Sequence, residues 1–340
     1  MSAQVRRRKQ VSLPFSTNNK VTDKLSRGML YRSLMLRLTG APTLTGANNT
    51  LAKTLAGDEW GVVKKIEIIA NGSDVVRTYS GLDLWMINYF TSKVPPRVTA
   101  ALGDGSTANV PFNSLLRLPF WSPDTFRPMD TVLDARNMAA LEIAVTWGTF
   151  TDINADATAW TTTPVLDVWS EECFNVAGKF AVLRHYPIQG TITASNPALR
   201  IPLTVGPMYR GFLMQFRDAG VDSSAILNNF KLTAGGVNFV DLPGSVLRES
   251  ERLAKGRLNV FSSAAGTPAY EKLMKSAKFV QEGWYWYDHL SDGYLMESID
   301  TLGFTEFNIE LDVTVGGGTT DYRIIPYEVN PVRDKAKVAA

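Results

Sequence analysis

The chain has almost no cysteine or histidine, no long apolar run and no excess charge of either sign. In 340 residues the single Cys173 excludes an intrachain disulfide, so the protein does not need an oxidising compartment to mature. His185 and His289 are the only histidines, and no HExxH, CxxC or GxSxG pattern accompanies them. The zinc-hydrolase, zinc-ribbon and serine-hydrolase classes that carry those motifs are therefore excluded. No apolar stretch of 18 residues is present, so no membrane-spanning helix is expected. No apolar segment follows the basic N-terminus, so no secretory leader is expected either. The net charge of +2 gives no global field that would draw a polyanion.

What is present is an ordinary globular composition, 45% hydrophobic and 20% charged, in a chain long enough for two domains. The charge is unevenly placed. Residues 1–37 carry nine basic side chains against Asp23 alone, a local +8 that leaves −6 for the rest. Residues 1–27, polar and without periodicity, are expected to form a basic arm.

The most informative feature is repetition. Residues 66–81, IEIIANGSDVVRTYSG, have the plan of residues 230–245, FKLTAGGVNFVDLPGS. Each is an alternating strand, a two-residue turn, a second strand and a break before a helix. YRSLMLRL (31–38) matches YRGFLMQF (209–216), LPFWSPD (118–124) matches YWYDHLS (285–291), and ALEIAVTW (140–147) matches EFNIELDV (306–313). Several elements recurring in one order mark two similar units in tandem. Asn71-Gly72 and Gly235-Gly236 suit type I′ hairpin turns, whose central residues both need positive φ. Ser80 is placed to cap a helix over 82–90, where Leu82, Trp85, Met86 and Tyr89 have helical spacing. The matching helix is expected over 245–255.

Short alternating strands separated by turn signals, with one helix inserted per unit, predict an all-β chain. The expected fold is two tandem eight-stranded jelly rolls, a double jelly roll. The boundaries read as arm 1–27, first roll 28–174, linker 175–198, second roll 199–330 and tail 331–340. Strands are expected near 30–38, 115–121, 139–147 and 165–174 in the first roll. In the second they are expected near 199–204, 209–217, 228–233, 237–241, 282–288, 293–298, 304–314 and 321–329.

The order of these segments resembles the major capsid proteins of tailless icosahedral phages with an internal membrane, tectivirus- and corticovirus-like, in the adenovirus hexon lineage. The resemblance spans residues 28–330. It rests on IEIIANGSDVVRTYSGLDLWMINYF, on LPFWSPD followed by MDTVLDARNMAALEIAVTW, on TPVLDVWSEECF, and on the recurrence of the scheme. It implies a structural virion protein and no enzyme. Homotrimers would form pseudo-hexagonal capsomers in an icosahedral shell, assembled in the host cytoplasm alongside minor capsid proteins. Residues 91–114 and 256–281 would be the outer towers, and the arm would lie beneath, facing internal membrane lipid or genome.

The candidate sites are few. Arg6-Arg7-Arg8-Lys9 suits a phosphate-facing arm, near an anionic membrane or the genome; a solvated tail is the competing reading. Asp152, Asn154 and Asp156 have the spacing of a calcium loop, but Ala157 and Thr163 stand where glycine and a carboxylate belong, so a polar surface loop is expected. No cofactor is expected. Cys173, after Glu171-Glu172, has no activating base in sequence and reads as an inert thiol. The alternative function is a two-sandwich carbohydrate-binding or glycan-hydrolysing protein, because adjacent carboxylates such as Asp58-Glu59 and Glu171-Glu172, with the close pair Glu249 and Glu251, are the residue types of glycosidase chemistry.

Overall fold

The computed structural model describes residues 4–44, 58–92, 96, 111–122, 128–153, 157–174, 176, 178, 180–255, 282–290 and 294–330. These fall into two compact units that divide between Val182 and Leu183.

In the first unit the strands are β1 (Gln4–Pro14), β2 (Lys20–Lys24), β3 (Leu30–Leu44), β4 (Val63–Ala70), β5 (Asp74–Tyr79), β6 (Phe112–Pro119), β7 (Leu133–Asp134), β8 (Leu141–Trp147) and β9 (Ala157–Phe174), with helix α1 (Gly81–Thr91) after β5. One sheet runs β1-β9-β3-β6, with β7 beside β3, and the other runs β2-β8-β4-β5.

The second unit has β10 (Val182–Arg184), β11 (Ile188–Ile192), β12 (Asn196–Pro202), β13 (Met208–Asp218), β14 (Val221–Asp222), β15 (Leu227–Ala234), β16 (Val237–Pro243), helix α2 (Gly244–Lys255), β17 (Trp284–Asp288), β18 (Ile299–Asp300), β19 (Asn308–Val313) and β20 (Thr320–Asn330). Its first sheet has β13 at the centre, between β20 and the β17 and β18 strands, with β10 and β11 beyond β20. Its second sheet runs β12-β19-β15-β16.

The two lists share one plan, with β10 and β14 as additions of the second unit. β11-β20-β13-β17 repeats β1-β9-β3-β6, and β12-β19-β15-β16 repeats β2-β8-β4-β5. Short β18 beside β13 repeats short β7 beside β3. Each unit is an eight-stranded antiparallel jelly roll, as the repeat predicts.

Local chemistry explains the recurring pieces. Asn71 and Gly72 have φ of 52° and 83°, and Gly235 and Gly236 have 55° and 82°, the left-handed pairs that a type I′ hairpin demands. Ser80 caps α1 in a reciprocal capping box: its hydroxyl accepts from the Asp83 N–H while the Asp83 carboxylate accepts from the Ser80 N–H. Gly81 and Gly244 each open the helix of their roll. A Cβ would lie 2.1 Å from the Trp60 carbonyl oxygen at the first and 2.4 Å from that of Leu227 at the second.

In the second roll Phe212, Met214 and Phe216 alternate along β13 into a core closed by Phe230 and Leu232 of β15, Ile309 and Leu311 of β19 and Ile324 of β20. Burial of each such side chain contributes about 1.5–3 kcal/mol. The first roll buries Trp60, Trp85, Trp147, Tyr31, Tyr79 and Phe120 almost completely.

Several expectations are corrected. Residues 4–14 and 20–24 are strands of the first roll, not an arm, and β10 and β11 place sheet strands inside the expected linker. Residues 293–298, expected as a strand, hold instead a 3-10 turn at Leu295–Glu297, before β18. Helix α1 is buried nearly all round, and Leu82, expected on its inner face, is partly exposed, as is Thr91 at its end. The expected towers lie for most of their length outside the described residues.

Candidate functional site

Arg6 to Lys9 sit on β1, at the edge of the first sheet, directly against β9. The register pairs Arg6 with Glu172, Arg7 with Glu171, Arg8 with Ser170 and Lys9 with Trp169; the ladder then slips at Gln10 and resumes with Val11 against Val168. Strand alternation puts Arg6 and Arg8 on one face and Arg7 and Lys9 on the other.

On the first face Glu172 is fully buried and is surrounded by donors. Arg6 reaches it with Nε at 3.0 Å and Nη2 at 2.6 Å, Arg8 with Nη2 at 3.3 Å, Gln10 with Nε2 at 3.0 Å and Ser170 with Oγ at 2.8 Å. Burial pushes the Glu172 carboxyl up, but the Arg6 and Ser170 hydrogen bonds and the charges of Arg8 and Arg6 outweigh it, and the group is held below its ordinary range. On the other face Glu171 accepts from Arg7 Nε at 2.8 Å and from Ser33 Oγ at 2.5 Å, with Arg117 Nη2 at 3.4 Å. Here too burial is the largest influence and is outweighed, by the hydrogen bonds of Ser33 and Arg7 and the charges of Arg117 and Arg7. Lys9 Nζ lies 2.8 Å from Asp167, which also accepts from Ser12 Oγ at 2.5 Å.

The basic run is thus a set of cross-strand ion pairs. Each of the four cations has a carboxylate partner, and the run lies on a paired strand and not on a free arm. The sequence carried only a partial signal for this: adjacent glutamates in a largely apolar strand need hydrogen-bond or charge partners, and a run of four basic residues is one source of them.

The second roll has its own version of this place. Tyr31 on β3 lies across from Glu172, and Tyr209 on β13 lies across from Glu328 on β20. Glu328 is also buried, but its partners are neutral: Tyr186 donates its hydroxyl at 3.1 Å and Asn330 its Nδ2 at 2.7 Å.

The remaining candidates are occupied by structural roles. Asp152 binds Lys64 Nζ at 2.5 Å and accepts the Thr149 N–H at 2.7 Å, while Asn154 and Asp156 lie outside the described residues. Among the described residues no group of three His, Cys, Asp or Glu side chains could hold a metal ion. Cys173 is buried, and burial raises its thiol further. His289 shares a 2.6 Å hydrogen bond with the Tyr287 hydroxyl, and burial lowers its pKa; His185 is buried. Glu171 and Glu172, considered as a glycosidase pair, point to opposite faces of β9 and cannot flank one bond.

No family model matches the sequence, and no curated protein is similar to it in sequence. Solved structures are similar to it in fold. A chain of the Sulfolobus turreted icosahedral virus structure superposes with a TM-score of 0.73 at 12% identity, over 99% of this chain and 95% of that one. The major capsid protein P2 of bacteriophage PM2 gives 0.63 at 13% identity, over 98% and 99%. The fold is that of the double jelly-roll major capsid proteins. A chain of the PBCV-1 virus capsid extends the likeness, with 0.59 at 10% identity over 97% and 95%. At such identities a shared double jelly roll carries no side-chain role from one protein to another, so the residue chemistry above stands on this chain alone.

Proposed function

We propose that the chain is a major capsid protein, the structural coat subunit of a virion. Three copies form a pseudo-hexagonal capsomer whose six corners are the six rolls, and these capsomers tile an icosahedral shell. The observation that carries this reading is the double jelly roll itself: two rolls with one strand order in a single chain, matched along nearly the whole length of viral coat proteins. A threefold object with near-sixfold outline paves a facet with one kind of subunit. The partners are further copies of the chain, neighbouring capsomers and minor capsid proteins. The chain works as a building block and not as an enzyme, located in the virion shell after assembly in the host cytoplasm. Contact of Arg6 to Lys9 with membrane lipid or genome would compete with Glu171, Glu172 and Asp167 for those side chains.

Light scattering of the purified protein over a range of concentrations tests this. The expected mass is three times 37.4 kDa, independent of dilution. A monomer at every concentration overturns the capsomer.

A further inference from the structure

Strand β1 changes chemistry at one residue. From Val11 onward it is held by apolar burial: Leu13 is in the core, and Phe15, just past the strand, packs edge-on against Trp147 and Trp160 at ring distances of 5.5 and 5.3 Å. From Arg6 to Gln10 no apolar side chain points inward; the strand is held there by its backbone ladder and by charge. The register slip at Gln10 falls on the boundary between the two halves. A bulge interrupts the ladder and is a natural bending point. β1 is also an edge strand, so opening its first half breaks pairing with β9 alone.

We propose that residues 4–9 form an electrostatic latch. It is closed while the carboxylates of β9 are ionised, and it swings open at Gln10 when they are neutralised, while residues 11–15 stay docked. Among the described residues, the groups that face these carboxylates come from β1, β3, β6 and β9, with the Cys173 thiol of β9 also near Glu171. Around Glu172 they are Arg6, Arg8 and Gln10 of β1, Ser170 of β9 and Tyr31 of β3. Around Glu171 they are Arg7, Ser33 of β3 and Arg117 of β6. Around Asp167 they are Lys9 and Ser12 of β1 and, at longer range, Arg37 of β3. The cations do not titrate in the acid range, so the proton acts on the carboxylates. Opening frees a segment with four positive charges and uncovers an acidic strand edge. The latch depends on the geometry of one chain and holds whether or not the chain builds capsids.

Hydrogen exchange of the unmodified full chain tests it, read as protection of the peptide covering residues 4–9 after correction for intrinsic rates. From pH 7 to below pH 4, protection of residues 4–9 is expected to fall by about tenfold or more for each charged hydrogen bond lost. Protection of residues 11–15 and of β3 is expected to fall far less, by no more than the general acid weakening of the first roll. High salt at pH 7 should act in the same direction, more weakly, because the carboxylates are buried. As a second arm, Glu171→Gln with Glu172→Gln at pH 7.5 should speed tryptic cleavage at Arg6, Arg7, Arg8 and Lys9 well beyond any change at other sites. Loss of protection in residues 4–9 only together with the whole first roll, or protection that does not change with pH, overturns the latch.

Discussion

Glu172 and Glu328 occupy the same position in the two rolls, each opposite the tyrosine near the start of the long central strand of its first sheet, yet one is bound by two arginines and the other by a tyrosine hydroxyl and an amide. The fold repeats the buried acid; the sequence changes what neutralises it. Removing the charge of Glu172 gives up two ion pairs as well as hydrogen bonds, whereas Glu328 gives up hydrogen bonds to neutral donors alone.

Glu172→Gln should therefore lower stability by roughly 2–3 kcal/mol, and Glu328→Gln by about 1 kcal/mol or less. Urea unfolding followed separately for the two rolls checks this. Equal losses would mean that the arginines contribute nothing at Glu172.

The first roll should be sensitive to acid. Glu67, Asp134, Asp152, Asp167, Glu171 and Glu172 are all held below their ordinary carboxylate values. For Asp134 the largest cause is the Arg136 hydrogen bond; for the others burial opposes the shift and is outweighed by hydrogen bonds and nearby cations. A depressed folded pKa gives stability that is present above the unfolded value and lost as pH falls through the folded one. Thermal melts should thus show a falling midpoint below about pH 4. Asp222 in the second roll has the opposite sign: burial raises it despite the Arg217 charge and the Trp284 and Gln215 hydrogen bonds, so its contribution weakens as pH rises.

Gly81→Ala and Gly244→Ala should each be severe, with a loss of about 2 kcal/mol or more, because the added methyl meets a backbone carbonyl and not a movable side chain. Gly72→Ala and Gly236→Ala meet no atom within 4 Å and suffer only from positive φ, a cost of about 1–2 kcal/mol. Soluble yield and melting temperature of the four variants should rank them in that order.

Ser80→Ala removes one half of the α1 capping box and should cost about 1 kcal/mol. Ser80→Asp should recover most of it, since a carboxylate oxygen can accept the same N–H. A melting series over the three proteins decides whether the cap or the burial of α1 dominates there.

What was legible in the sequence was local or repeated. The two hairpins, the Ser80 cap and the doubled strand order follow from residues close together in the chain, and the repeat supplied the double jelly roll. The misplaced segments have partners far away. β1 pairs with β9 more than 150 residues on, and its outer half is basic and polar, so no apolar alternation marks it as a strand. β2 is likewise polar and pairs with β8. Helix α1 misled for a related reason. Its spacing suggested one buried face, but Asn88, away from that face, is also buried. Its side chain bonds the Arg117 backbone N–H and carbonyl and so extends the β6 edge. A polar residue used as a piece of backbone has no signature in helical periodicity.

Cys173 has a practical consequence for labelling chemistry. The one thiol in the chain is enclosed with Leu30 and Val132 and is less acidic than a free cysteine, so it reacts slowly with maleimides and alkylating reagents. A cysteine introduced at an exposed position such as Val237, in the Gly235-Gly236 hairpin, would then be the one fast-reacting thiol per subunit. The native protein is already close to a cysteine-free background, so a dye or cross-linker could be placed at a chosen site without first removing a residue from its interior.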